Sequence, residues 1–123
     1  MVIMKYTQSH EWIQLEGDFG VVGITKYAQQ ELGEIVHVEL PQIGQEIEVG
    51  DEVAVLESTK AAADIYSPVS GEVVAVNQKI KDDLELINQF PESKGWLFKI
   101  KLMDHKELEL LYDHKEYLEL VSS

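Results

Sequence analysis

The sequence contains no cysteine among its 123 residues. This absence excludes disulfide bonds, thiolate metal ligands and a cysteine nucleophile. Any thiol or redox chemistry would therefore need to take its sulfur from a cofactor.

Basic residues are also scarce. Ten lysines and arginines face 23 aspartates and glutamates, which gives a formal net charge of −13. Such a surface repels nucleic acid and anionic membranes and favours partners with basic patches. We therefore expect neither a nucleic-acid partner nor a membrane partner.

Long hydrophobic runs and targeting patterns are missing as well, which predicts a cytoplasmic protein. Motifs of common enzymes are absent too: the sequence has no GxSxG elbow, P-loop or GxGxxG stretch. Its four histidines are scattered, and none pairs with another at i, i+4. We predict no catalytic residue and no metal site.

What is present predicts a mainly β protein that forms one domain over residues 1–123. Alternating or β-rich stretches predict strands over 5–15, 19–24, 35–40, 47–56 with an interruption at Gly50-Asp51, 69–76 with Ile65 before it, and 95–102. The chain after Asn77 is predicted to be rich in loops. Thr25 suits the N-cap of a short helix that Gly33 ends.

The tail over residues 104–122 is predicted to be helical and to pack on the sheets. It contains the tetrapeptide Asp-His-Lys-Glu twice, from Asp104 to Glu107 and from Asp113 to Glu116. An Asp followed three residues later by Glu is typical of a capping box, so each copy predicts the start of a helix.

The most informative feature is a hairpin with Lys60 at its bend. Strand-like residues run into Glu57 and resume at Ile65, while Ala61, Ala62 and Ala63 leave the amine open. A lysine on a bend is usually only a solvated charge. Here, however, its small neighbours suit an amine that an acyl-transferring enzyme can reach.

The residues around Lys60 resemble the lipoylation segment of the glycine cleavage system H protein family. The resemblance continues in order over about residues 5–112. It rests on His10-Glu11-Trp12, Gly23-Ile24-Thr25, Leu32-Gly33-Glu34-Ile35-Val36, Val38-Glu39-Leu40-Pro41, Glu57 to Val73, Asn77, Asn88 and Gly95-Trp96-Leu97.

This resemblance implies a lipoyl-domain-like β-sandwich, a barrel-sandwich hybrid, with a short helix in the N-terminal half and C-terminal helices. It implies lipoate in amide linkage on Lys60, attached by a lipoate ligase or lipoyltransferase. The carrier would shuttle an aminomethyl group from glycine decarboxylase (P protein) to the aminomethyltransferase (T protein), and dihydrolipoyl dehydrogenase (L protein) would reoxidise the arm. The chain itself would be non-catalytic.

The resemblance also implies a cleft that shelters the loaded arm. Ser9, Glu11 and Asp64 are its candidate residues, and carboxylates are suitable acceptors for a protonated amine. The chain departs from the family pattern over residues 84–94, where Leu84 and the stretch from Gln89 to Lys94 are unusual. These differences place the expected docking of partners in question.

Two alternatives remain open at this level, and a third, the biotin carrier, is disfavoured. A lipoyl relay protein would donate lipoate to other enzymes, and an interaction module would bind partners unmodified. A biotin carrier would favour methionines on both sides of the lysine, whereas Thr59 and Ala61 flank Lys60.

Overall fold

The computed structural model describes residues 3–122. Nine strands form in this part of the chain: β1 Met4–Tyr6, β2 Glu11–Glu16, β3 Phe19–Ile24, β4 Ile35–Glu39, β5 Glu46–Ile47, β6 Glu52–Ser58, β7 Ala62–Tyr66, β8 Gly71–Val76 and β9 Phe98–Leu102. The helices are α1 Lys26–Leu32, α2 Lys79–Asp82, α3 Glu85–Gln89, a 3₁₀ helix His105–Leu110 and α4 His114–Ser122.

The strands form two antiparallel sheets that pack on one apolar core. The larger sheet has the order β1-β2-β3-β9-β8-β5, and the smaller has the order β4-β6-β7. Alternate side chains of each strand point inward, and Ile13, Leu56 and Phe98 are among the largest that are fully buried. The predicted mainly β sandwich with added helices is confirmed.

The N-terminal strand predicted over residues 5–15 is wrong in one respect, because the chain turns sharply within it. The backbone N–H of His10 donates to the Thr7 carbonyl (3.2 Å), and the N–H of Thr7 donates to the Glu11 carbonyl (2.9 Å). His10 lies in the left-handed region, with φ 73°. The result is two short strands, β1 and β2, joined by a tight turn.

Helix α1 begins and ends where the sequence predicts. The Thr25 hydroxyl accepts from the backbone N–H of Ala28, and the N–H of Gly33 donates to the Gln29 carbonyl. Gly33 has φ 86°, a conformation that favours glycine, so the helix stops there and the chain turns into β4.

The segment after Asn77 is more ordered than predicted, since it forms α2 and α3. One buried isoleucine from each helix, Ile80 and Ile87, fixes it to the core. The Pro91 carbonyl accepts from the indole N–H of Trp12 at 2.9 Å. The unusual 84–94 stretch is therefore anchored on the sheets.

The tail confirms one predicted capping box and contradicts the other. Asp113 and Glu116 bond reciprocally to each other's backbone N–H groups, at 2.8 and 3.0 Å, before α4. Asp104 instead accepts from Lys106, and the short helix that follows is 3₁₀. No helix within residues 3–122 is long and apolar enough to cross a membrane.

Candidate functional site

Lys60 lies at the tip of the hairpin that β6 and β7 form. The backbone N–H of Ser58 donates to the Ala61 carbonyl at 2.8 Å and closes the turn. The Ser58 hydroxyl accepts from the N–H groups of Lys60 and Ala61, both at 3.1 Å. A serine thus provides the turn geometry that Gly or Asn often supplies, and Lys60 projects from its far end.

The Lys60 side chain is exposed and rests beside the turn between α1 and β4. A Cβ atom at Gly33 would lie 3.3 Å from Lys60 Cε and 3.8 Å from Nζ, so the lysine occupies the space that glycine leaves. The N–H of Thr59 also donates to the Glu34 carbonyl (3.1 Å). Within residues 3–122, no ion pair engages the Lys60 amine.

The structure brings Ser9 and Glu11 together at the start of β2. Oε1 of Glu11 accepts from the hydroxyls of Thr7 (2.5 Å) and Ser9 (2.6 Å), and Oε2 accepts from the backbone N–H of Tyr66 (3.1 Å). Glu11 is only 1% exposed. A group that reached this carboxylate would leave bulk water.

The bond to Tyr66 places Glu11 at the open edge of the smaller sheet. Strand β7 pairs with β6 on one side only, and Tyr66 is its last residue. Tyr66 is four residue steps beyond Ala62, at about 3.3 Å per step, so Glu11 meets the edge about 13 Å along the strand from the hairpin tip. Lys60 and Glu11 are therefore at opposite ends of β7.

Asp64 lies between these two ends, and no hydrogen bond within residues 3–122 joins it to Glu11. It is exposed and pairs across the sheet with Val55. Its side chain lines an open cavity of about 240 Å³ together with two other carboxylates, Glu39 and Glu52. Of the three predicted cleft residues, Ser9 and Glu11 are joined by a hydrogen bond. Asp64 lies two residues before Tyr66, whose N–H bonds to Glu11.

The other side of the β1–β2 turn is held by the C-terminal helix. His10 Nδ1 lies 2.8 Å from the Tyr117 hydroxyl, which also lies 2.8 Å from the Thr25 hydroxyl. Burial raises the pKa of Tyr117 and of Tyr6, and the Glu92 carboxylate raises both further. A hydrogen bond to Glu31 raises the pKa of Tyr27. Because its ring contacts the Tyr117 hydroxyl, His10 has a structural role beside the predicted cleft.

The polarity of the Glu11 site suits a cation. The hydroxyls of Thr7 and Ser9 both donate to the Glu11 carboxylate. They can therefore serve a further group only as acceptors. No group of three or more His, Cys, Asp or Glu residues in the described part of the chain is arranged to hold a metal ion. The arrangement can accept hydrogen bonds from a protonated amine, which has donors only.

Sequence reasoning missed three residues that shape the site: Thr7, Ser58 and Gly33. Signals for two of them exist, because Ser and Thr often bond to nearby backbone in turns. Nothing local in the sequence indicates that Gly33 and Lys60 are adjacent, since 26 intervening residues separate them.

Comparison with known proteins gives a consistent result. The family model described as "Glycine cleavage H-protein" matches residues 4–123. The glycine cleavage system H protein of Thermotoga maritima is 50% identical over 119 residues, which are 97% of this chain and 96% of that protein. The Aeromonas salmonicida protein of the same description is 53% identical over 119 residues, with coverage of 96% and 92%.

A solved structure agrees with the sequence comparisons. A crystal structure of a glycine cleavage system H protein from Mycobacterium marinum superimposes with a TM-score of 0.89. The two sequences are 33% identical, and the match covers 98% of this chain and 97% of the other.

Proposed function

This chain belongs to the glycine cleavage H-protein family, and from that membership we propose that Lys60 carries the family's lipoyl group as an amide. As a family member it is a lipoyl-carrying, non-catalytic component of the glycine cleavage system and works with the P, T and L proteins. Attachment to Lys60 would require a lipoate ligase or lipoyltransferase. The single domain over residues 1–123 and the cytoplasmic location stay predictions.

The surroundings of Lys60 support it as the attachment point. The amine is exposed at a hairpin tip whose backbone is fixed by Ser58 and by the bond from Thr59 to Glu34. Three alanines follow it, and none of them blocks an approaching enzyme. An amide would fit because acylation removes a charge that no carboxylate within residues 3–122 pairs with.

Lipoate, held on Lys60, would supply a disulfide able to accept the aminomethyl group and the electron pair that are released when a partner enzyme decarboxylates glycine. The chain has no cysteine, so its residues position this chemistry rather than perform it. Tethering the group to a protruding hairpin keeps its effective concentration high at each partner.

We further propose that Ser9, Glu11 and Asp64 receive the protonated amine of the cargo. Support comes from Glu11, whose carboxylate is buried and faces the edge of β7. Ser9 adds an acceptor next to it. Asp64 lies on β7, between Lys60 and Tyr66. These residues would bind the cation and keep it away from water, and we call them the arm cleft.

Intact mass spectrometry tests the attachment point. Wild-type protein treated with lipoate, ATP and a lipoate ligase should gain the mass of one lipoyl group, and Lys60→Ala should gain none. Lys81→Ala is a matched control, because it also removes an exposed lysine and should still be modified. An unmodified wild type, or a modified Lys60→Ala, would overturn the proposal.

An exchange assay separates the shuttle from the relay alternative. Lipoylated protein should support glycine-dependent exchange of labelled bicarbonate with a glycine decarboxylase, and unmodified protein should not. Modification without exchange would favour a relay that only donates lipoate to other enzymes.

The arm cleft has a separate test. Carrier loaded with the aminomethyl group should lose it faster when Glu11→Gln removes the negative charge while keeping the side-chain shape. Loss of one charge-assisted hydrogen bond is worth about 1.5–3 kcal/mol, so the lifetime should fall roughly tenfold or more. An unchanged lifetime would contradict the cleft.

A further inference from the structure

Thr7 contacts Glu11 through both its backbone and its side chain. Its N–H donates to the Glu11 carbonyl (2.9 Å), and its hydroxyl accepts from the Glu11 N–H (3.0 Å). The same hydroxyl donates to Oε1 of the Glu11 carboxylate at 2.5 Å. One side chain thus fixes the backbone and the carboxylate of the same residue.

These contacts leave a single direction open on the carboxylate. A carboxylate offers about four lone-pair positions, two on each oxygen. The hydroxyls of Thr7 and Ser9 fill both positions of Oε1. Among residues 3–122, Oε2 accepts only the N–H of Tyr66, so its second lone pair remains for a further donor.

Oε2 lies at the edge of β7, because the Tyr66 N–H to which it bonds is part of that edge. Without the Thr7 hydroxyl, Oε1 would have a vacant position as well. The carboxylate could then rotate, and it would present either oxygen to a donor. Loss of a hydrogen-bond donor destabilises a buried carboxylate. Rotation toward another donor would therefore lower its free energy.

We propose that Thr7 is a positioning residue for the arm cleft: by occupying Oε1, its hydroxyl aims Oε2 of Glu11 at the amine of the cargo. This inference rests on the proposed arm cleft and extends it to a residue that need not touch the cargo. The one position left on Glu11 is an acceptor on a negatively charged group, which suits a positively charged donor.

Paired substitutions separate the hydroxyl from the rest of the side chain. Thr7→Val keeps the shape and removes the hydroxyl, and Thr7→Ser keeps the hydroxyl and removes the methyl group. Lipoylated variants are loaded from glycine by a glycine decarboxylase, separated from it, and followed by intact mass. We expect the aminomethylated form of Thr7→Val to decay about threefold to tenfold faster than wild type, and that of Thr7→Ser to decay within twofold of wild type.

A second measurement needs neither lipoate nor cargo. The backbone amide of Tyr66 reports on the position of Oε2, so its NMR chemical shift and hydrogen-exchange rate should change in unmodified Thr7→Val. They should return toward wild-type values in Thr7→Ser. If Thr7→Val does not fold, Thr7→Ala removes the same hydroxyl and takes its place in both measurements.

The outcomes distinguish the two proposals. If Glu11→Gln shortens the lifetime and Thr7→Val does not, the positioning role is overturned and the arm cleft stands. Equal decay of Thr7→Ser and Thr7→Val would also overturn the role, because the hydroxyl would then be irrelevant. If Glu11→Gln decays like wild type, the arm cleft itself fails, whatever the Tyr66 amide shows.

Discussion

The side-chain amide of Asn88 pairs with the backbone of Ile35 in both directions. The Ile35 N–H donates to Asn88 Oδ1 at 2.8 Å, and Asn88 Nδ2 donates to the Ile35 carbonyl at 3.2 Å. Strand β4 is an edge of the smaller sheet, so Asn88 supplies the pairing that a neighbouring strand would give. This bond ties the unusual 84–94 segment to the strand that begins beside the Lys60 hairpin.

Replacing Asn88 with Ala should destabilise the protein. Ile35 is 1% exposed, so its N–H would lose its partner inside the protein, where an unmade hydrogen bond costs about 1–3 kcal/mol. We expect the free energy of unfolding, measured in urea, to fall by about 2 kcal/mol. Gln89→Ala, an exposed change on the same helix, should stay within about 0.5 kcal/mol. Equal effects of the two changes would contradict this interpretation.

The Gly33→Ala variant should free Lys60. The new methyl group would meet the lysine stem, and a flexible side chain moves away easily. The amine would then leave its position against the turn at Gly33 and become more accessible. We expect Lys60 to react about two to five times faster with a small acylating reagent, as measured by peptide mapping under native conditions.

Gly50→Ala is the matched control for that change. Gly50 has φ 87°, close to the 86° of Gly33, and a Cβ there would meet nothing within 4 Å. Both variants place an alanine at positive φ, which strains the backbone by about 1–3 kcal/mol, but only Gly33→Ala disturbs Lys60. A faster reaction in both variants would attribute the effect to lost stability rather than to the lysine contact.

Tyr117 predicts how stability depends on pH in the alkaline range. Its folded pKa is raised, chiefly by burial, so the folded state binds the phenol proton more tightly than the unfolded state does. This contribution is fully present below the unfolded pKa of about 10 and is lost as pH rises through the folded pKa. The stability difference between wild type and Tyr117→Phe should therefore shrink above about pH 10. A difference that stayed constant up to about pH 11, measured in urea, would contradict it.

Patterns of side-chain type predicted most of the fold because they record which face is buried. Strand β4, helix α1 with its Thr25 cap and the Lys60 hairpin all lie where the sequence places them. The break between β1 and β2 was missed because it depends on hydrogen bonds among Thr7, His10 and Glu11, which interrupt a run that otherwise looks like one strand.

The sequence suggested candidate residues for the site but not the contacts that they make. Similarity of motifs suggested Lys60, Ser9, Glu11 and Asp64. It could not indicate that Glu11 bonds to the backbone of Tyr66 or that Asp64 lines an open cavity together with Glu39 and Glu52. Such contacts join residues that are distant in the chain, and they arise only when the two sheets pack.

Identical tetrapeptides in the tail show most clearly where local sequence stops determining structure. The second copy forms the predicted capping box. In the first copy, Glu107 does not turn back to Asp104. Its carboxylate accepts from the N–H (2.7 Å) and the hydroxyl (2.8 Å) of Ser70, which immediately precedes β8. A tertiary partner therefore replaces the local one.

Glu107→Ala should consequently cost more than Glu116→Ala, although the same three residues, Asp-His-Lys, precede both glutamates. Glu107 makes two charge-assisted bonds in a partly buried setting, and its loss should lower the free energy of unfolding by about 2–3 kcal/mol. Glu116 makes one exposed capping bond, and its loss should cost about 0.5–1 kcal/mol. Urea unfolding of both variants is compared with that of Ser70→Ala and of the double variant Glu107→Ala/Ser70→Ala. The comparison measures the coupling energy between Glu107 and Ser70 directly. The contrary result is that the two glutamate variants lose equal stability, or that Glu107 shows no coupling to Ser70. Either result would mean that apolar contacts, such as that of buried Leu108, hold the 3₁₀ segment, and not this carboxylate.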